Sequence, residues 1–84
     1  MTKKTVTVSI SEGIERPIAM FVQQAGQFDS KIFVENDSMK LNAKSIMGMM
    51  TLGMEDGKEL TISAEGSDEE EAVTALEGFL SGGR

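Results

Sequence analysis

The chain contains no cysteine and no histidine. That excludes disulfides, thiol chemistry, zinc sites built from Cys and His, imidazole acid–base work and phosphohistidine. Tryptophan and tyrosine are missing too, so beyond four Phe the core must be filled by aliphatic side chains and methionine. No run of about 18 apolar residues occurs, and no segment is expected to span a membrane. The opening "MTKKTVTVSI" alternates instead of forming an apolar block, so it does not read as a signal peptide. Basic residues are scarce against acidic ones. A net charge of −6 leaves no basic cluster to reward nucleic-acid phosphates or an acidic lipid surface. The expectation is a cytoplasmic protein with no metal, no cofactor, no direct nucleic-acid contact and no membrane insertion.

What is present fits one small domain over residues 1–84, with the final "SGGR", about 81–84, as a frayed tail. Val6, Val8 and Ile10 alternate with Thr5, Thr7 and Ser9, the period of a strand with one buried face. Gly13 and Pro17 break that pattern, and Pro17 suits the first turn of a helix. Ile18, Phe21, Val22 and Ala25 then mark one buried helical face, and Gly26 its end. "KIFVE" predicts a second strand, with Ile32 and Val34 on one face, and "NDS" a hairpin turn into a short third strand through Met39 and Leu41.

A helix from about Ser45 follows, then a turn at Asp56–Gly57 and a fourth strand with Leu60, Ile62 and Ala64 alternating. Ser67-x-x-Glu70 reads as a capping box opening a last helix, with Ala72, Val73, Leu76, Phe79 and Leu80 inward. The order is β-α-β-β-α-β-α. An α+β open-faced β-sandwich, a four-stranded antiparallel sheet with three helices on one face, buries every apolar stripe once. Its least accessible side chains are expected to be Val6, Val8, Ile10, Phe21, Val22, Ile32, Val34, Leu41, Leu52, Leu60, Ile62, Leu76 and Phe79.

The second helix, "KSIMGMMTLG", is unusual because it has no polar stripe. Met49 and Leu52 can point one way while Ile46, Met47 and Met50 spread round the other side. One set can face the sheet, and the remainder should be at least partly exposed. An apolar cluster of this kind suits a partner surface, and flexible methionine can repack against different partners. Burial on two sides by a loop and the first helix is the alternative. Ser45 likewise has two readings. It is a preferred N-cap, and it stands where a phosphate would be tolerated by the free N–H groups of a helix start.

With these residues in place, "KSIMGMMTLGMEDGKELTISAEGSDEEEA", "GI.RP" and "FVQQAGQFDSKIFVE" closely resemble the HPr family, the phosphocarriers of the sugar phosphotransferase system, and its Crh-type regulatory members. The resemblance covers essentially the whole chain. It implies that Ser45 is the regulatory serine phosphorylated by HPr kinase/phosphorylase. It also implies that Ile46, Met47 and Met50 form the exposed patch that docks the kinase, enzyme I and a LacI-type catabolite control regulator.

The departure lies at "GIERP". The family's phosphocarrier motif is Gly-Ile/Leu-His-Ala-Arg-Pro; Gly13, Ile14, Arg16 and Pro17 keep it, but a single Glu15 replaces His-Ala. Crh-type members also lack the histidine but keep the loop length, so this chain looks like a third kind, histidine-less and loop-shortened. Glu15 reads either as favourable charge near a helix N-terminus or as a neutraliser of the anion site formed by Arg16 and that helix. Arg16 is expected to add a polar contact to the docking patch.

The leading functional expectation is a non-enzymatic regulatory protein: phosphorylated on Ser45, it binds the catabolite control regulator as corepressor, without histidine phosphocarrier activity. A degenerate phosphotransferase-system component, docking enzyme I or sugar-specific enzymes as decoy, is the second. An oligomerising scaffold using the first strand or the methionine patch is the third.

Overall fold

Strands with alternating apolar residues and helices that turn apolar side chains inward build one layered structure. The computed structural model describes residues 1–9, 17–52 and 57–81. The elements run β1 (Thr2–Thr7), α1 (Pro17–Ala25), β2 (Lys31–Glu35), β3 (Lys40–Asn42), α2 (Ile46–Leu52), β4 (Glu59–Glu65) and α3 (Glu69–Leu80). Ile10, Glu15, Arg16, Asp56 and the tail residues 82–84, all named above, lie outside the described residues.

The four strands form one sheet in the order β1-β4-β2-β3, with every neighbour antiparallel. In register, Val6 faces Leu60, Val34 faces both Ile62 and Leu41, and Ile32 faces Ala64. Because side chains alternate along a strand, this register puts the apolar set on one face, beneath the three helices. Val6, Val8, Phe21, Ile32, Val34, Leu52, Leu60, Ile62 and Leu76 are buried as expected, joined by Ala25, Ala43, Met49, Ala64, Ala72, Val73 and Leu80. The opposite face is mostly polar: Thr5 and Thr61 share a hydrogen bond at 3.0 Å, Lys3 reaches across to Glu35 at 3.7 Å, and the Phe33 ring there is covered by the Lys40 amine at 5.0 Å.

Three expectations need correction. Val22, Leu41 and Phe79 are only partly buried. Leu41 lies on a three-residue edge strand, and Phe79 sits in the last turn of α3, where its ring tilts against Phe21 at 5.9 Å. The third strand begins at Lys40 instead of Met39, because the Asn36 carbonyl-type oxygen Oδ1 takes the N–H groups of Ser38 and Met39, both at 2.9 Å, and holds Met39 in the turn.

The capping box of the last helix does not form. α3 starts at Glu69, its N-cap is Asp68, and the Asp68 side chain makes no cap hydrogen bond. That carboxylate turns away to the segment before β2, accepting the N–H groups of Asp29 (2.9 Å) and Ser30 (3.0 Å) and the Ser30 hydroxyl. Glu69 Oε1 takes the Gly66 N–H at 3.2 Å, while its Oε2 takes the Thr2 hydroxyl at 2.7 Å. Glu70 is left exposed. Long-range partners outcompete the local box because each satisfies a backbone or hydroxyl donor that folding would otherwise strand.

Candidate functional site

α2 is short, seven residues, and its ends are finished by groups outside it. At the start, Ser45 Oγ accepts the Gly48 N–H at 3.2 Å, the bond an N-cap serine makes to a free helical N–H. Ser45 itself is half-buried. At the other end, Lys58 Nζ donates to the Leu52 carbonyl at 2.8 Å, supplying the cation that the helix's own last turn lacks. Both caps hold the helix axis fixed over the sheet.

With the axis fixed, the side chains divide sharply. Met49 and Leu52 enter the core, at 0% and 3% exposure. Met47, Met50 and Ile46 stand in solvent at 78%, 65% and 45%. Burial of the whole helix by its surroundings is therefore not what the fold does. Ile46 and Met50 are four residues apart, and Met47 and Met50 three, so each pair shares a side of the helix. The result is an apolar surface directly beside the Ser45 cap.

Two further residues were not singled out from the sequence. Lys44, next to Ser45, donates its amine to the Phe28 carbonyl at 2.6 Å, which ties the residue before the cap to the chain leaving α1. Met20, on α1, is 47% exposed. It lies outside the Ile18, Phe21, Val22 and Ala25 stripe, so that off-stripe apolar position was the available signal. Lys44 carried no such signal, because its partner is 16 residues away. Glu15 and Arg16 lie outside the described residues, so the geometry here is that of Ser45, Ile46, Met47 and Met50.

Chemically, the arrangement offers a hydroxyl beside an apolar surface. Among the described residues no group of three or more metal-ligating side chains comes together. No described helix is long and apolar enough to cross a membrane. Among the described residues, the carboxylates with clearly lowered pKa values, Asp68 and Glu69, belong to the α3 start and act as structural acceptors there.

A family model described as "PTS HPr component phosphorylation site" matches residues 2–81. The HPr-like protein Crh of Halalkalibacterium halodurans is 48% identical over 81 residues, covering 95% of this chain and 96% of that protein. The HPr-like protein Crh of Bacillus subtilis is 44% identical over 81 residues, covering 95% of each. Among solved structures, the phosphocarrier protein HPr of Bacillus anthracis superposes with a TM-score of 0.87 at 48% identity, covering 94% of this chain and 95% of that one. Sequence and fold thus agree over nearly the full length, and the chain belongs to the HPr family of the phosphotransferase system, with both Crh proteins and phosphocarriers among its relatives.

Proposed function

We propose that this protein is a non-enzymatic, cytoplasmic regulator of the HPr family, a single domain over residues 1–84. HPr kinase/phosphorylase phosphorylates it on Ser45, and in that form it binds a LacI-type catabolite control regulator as corepressor. It does not carry phosphate from phosphoenolpyruvate, because phosphoryl relay through this family needs an imidazole and the chain has no histidine. Glu15 replaces the acceptor, and a carboxylate repels the incoming phosphoryl group.

The observation that carries this reading is the placement of Ser45 at the head of α2, immediately beside exposed Ile46, Met47 and Met50. A phosphoserine adds about 1.5–2 negative charges and strong acceptor oxygens. Near the Gly48 N–H those charges are accommodated without unwinding α2. The signal is therefore read at the surface: a partner supplying Arg or Lys to the phosphate and a pocket for the apolar side chains gains both interactions together. The likeness to the HPr family assigns Arg16 a further polar contact with the same partner.

The test is incubation with HPr kinase and ATP, followed by intact mass and by titration with the regulator. One phosphate on Ser45 and tighter binding of the phosphorylated form support the reading. Equal binding of the two forms would reduce Ser45 to a cap. A second reading, docking of enzyme I as a decoy, draws on the likeness to the phosphocarrier of Bacillus anthracis. Enzyme I binding without phosphate acceptance would distinguish it.

A further inference from the structure

With no cysteine, tryptophan, tyrosine or histidine in the chain, the methionine thioethers are its readily oxidised side chains. Three of the seven methionines lie on α2, and the fold separates them sharply. Met49 is fully buried, whereas Met47 and Met50 are exposed at 78% and 65% on the apolar surface. We propose that Met47 and Met50 are reversible oxidation sites that switch this surface off while the fold persists.

The oxidant is a peroxide, in the simplest case hydrogen peroxide. A thioether lone pair attacks one peroxide oxygen, the O–O bond breaks, an S–O bond forms and, after proton transfer, water leaves. Sulfur loses two electrons and the peroxide gains them. A methionine sulfoxide reductase reverses the step with a pair of thiols: the oxygen leaves as water and the thiols become a disulfide.

The structure gives the two outcomes of oxidation different consequences. At Met47 and Met50 the new S–O dipole points into water, where it is solvated, so the core is untouched. At Met49 the same dipole would be buried without a partner, and close packing excludes the peroxide in the first place. Docking is another matter, since any apolar pocket that receives Met47 or Met50 must desolvate the sulfoxide. That weakens binding by roughly tenfold or more. The docking half of this inference rests on the corepressor reading above; the oxidation half does not.

The experiment treats the full chain with hydrogen peroxide, removes the oxidant, and maps sulfoxides by peptide mass spectrometry through a time course. Met1, Met20 and Met39 are also exposed and will oxidise, so binding loss is compared with sulfoxide content residue by residue. Met47 and Met50 are expected to oxidise at least about tenfold faster than Met49. The melting midpoint should hold, retention on a hydrophobic-interaction column should fall, and reductase with a dithiol should restore it.

The kinase-phosphorylated protein should lose regulator binding in step with sulfoxide at 47 and 50. A Met47→Leu/Met50→Leu variant, whatever its starting affinity, should change by less than about twofold on peroxide treatment. Oxidation of Met49 at the same rate, unfolding on oxidation of Met47 and Met50, or unchanged binding by the oxidised parent each overturn the proposal. If the unoxidised phosphorylated protein does not bind the regulator, it is the corepressor reading that fails. The oxidation order, column retention and reductase rescue then decide this proposal alone.

Discussion

Asp68 accepts the backbone N–H of Ser30 at 3.0 Å, joining two residues 38 positions apart. The same carboxylate takes the Asp29 N–H and the Ser30 hydroxyl, so one side chain at the head of α3 holds the whole entry to β2. Its neighbour Glu69 does the same for β1 through the Thr2 hydroxyl. The start of the last helix is therefore the clasp between three elements, on the side chain level, of a sheet whose strands are far apart in sequence.

Gly66 sits inside this clasp with φ of +155°, and a Cβ there would come within 2.7 Å of the Ser30 Cα and Oγ. Gly66→Ala is expected to cost about 2–4 kcal/mol, from the unfavourable backbone region and the backbone clash together. Chemical denaturation of the two proteins measures it; equal midpoints would mean that the Ser30 segment moves aside freely.

Acid should loosen the same clasp. The Thr2 hydroxyl, the Gly66 N–H and the N-terminal ammonium pull Glu69 down to about 2 from an ordinary 4.5. The Ser30 hydroxyl, with the Asp29 N–H next, holds Asp68 below its ordinary 3.8. A lowered folded-state value means stability that is fully present above the unfolded value and lost as pH falls through the folded one. The melting temperature should thus hold down to about pH 5 and drop between about pH 4.5 and 2. Asp68→Asn/Glu69→Gln should start lower at neutral pH and show a shallower acid limb. A limb as steep as the parent's would assign the acid loss to other carboxylates.

The two sides of α2 should respond in opposite ways. Met49→Ala removes a fully buried side chain and should cost about 2–5 kcal/mol. Met47→Asp, on an exposed position, should change stability by no more than about 0.5 kcal/mol while abolishing partner binding. Denaturation curves for both, with a binding titration for the second, check the division. Similar losses of stability would mean that the helix rotates or repacks.

Ser45→Ala should lose kinase modification and regulator binding together. It also removes the bond to the Gly48 N–H, which should cost about 0.5–2 kcal/mol. Intact mass after kinase treatment and a thermal melt separate the two effects. Kinase modification that persists in this variant would move the acceptor elsewhere.

Phosphoenolpyruvate and enzyme I should leave the protein unmodified, under conditions that fully phosphorylate a histidine-bearing HPr. Mass spectrometry at neutral pH reads the result. An acid-labile or hydroxylamine-sensitive phosphate on Glu15 would overturn it.

Much of this protein was written in short-range pattern. Alternation placed Val6, Ile32, Val34, Leu60 and Ile62 on one face of three strands, and helical spacing placed Phe21, Ala25, Leu76 and Leu80 on the inward side of α1 and α3. Spacing also divided α2 into Met49 and Leu52 on one side and Ile46, Met47 and Met50 on the other, while which side enters the core is settled by the packing. These features are legible because periods of 2 and 3.6 residues are fixed by backbone geometry, whatever the chain does elsewhere.

The clasp at α3 was decided only by tertiary structure. Ser67 and Glu70 match a local capping pattern, yet Asp68 and Glu69 are the residues engaged, with Ser30 and Thr2. The Lys58 cap on Leu52 and the Lys44 bond to Phe28 belong to the same class. For the clasp, donor and acceptor meet because the sheet order β1-β4-β2-β3 brings distant segments together; the two lysine bonds depend on how the chain packs around α2. A polar group chooses its partner by which unsatisfied group folding leaves within reach, and that distance exists only once the sheet has formed.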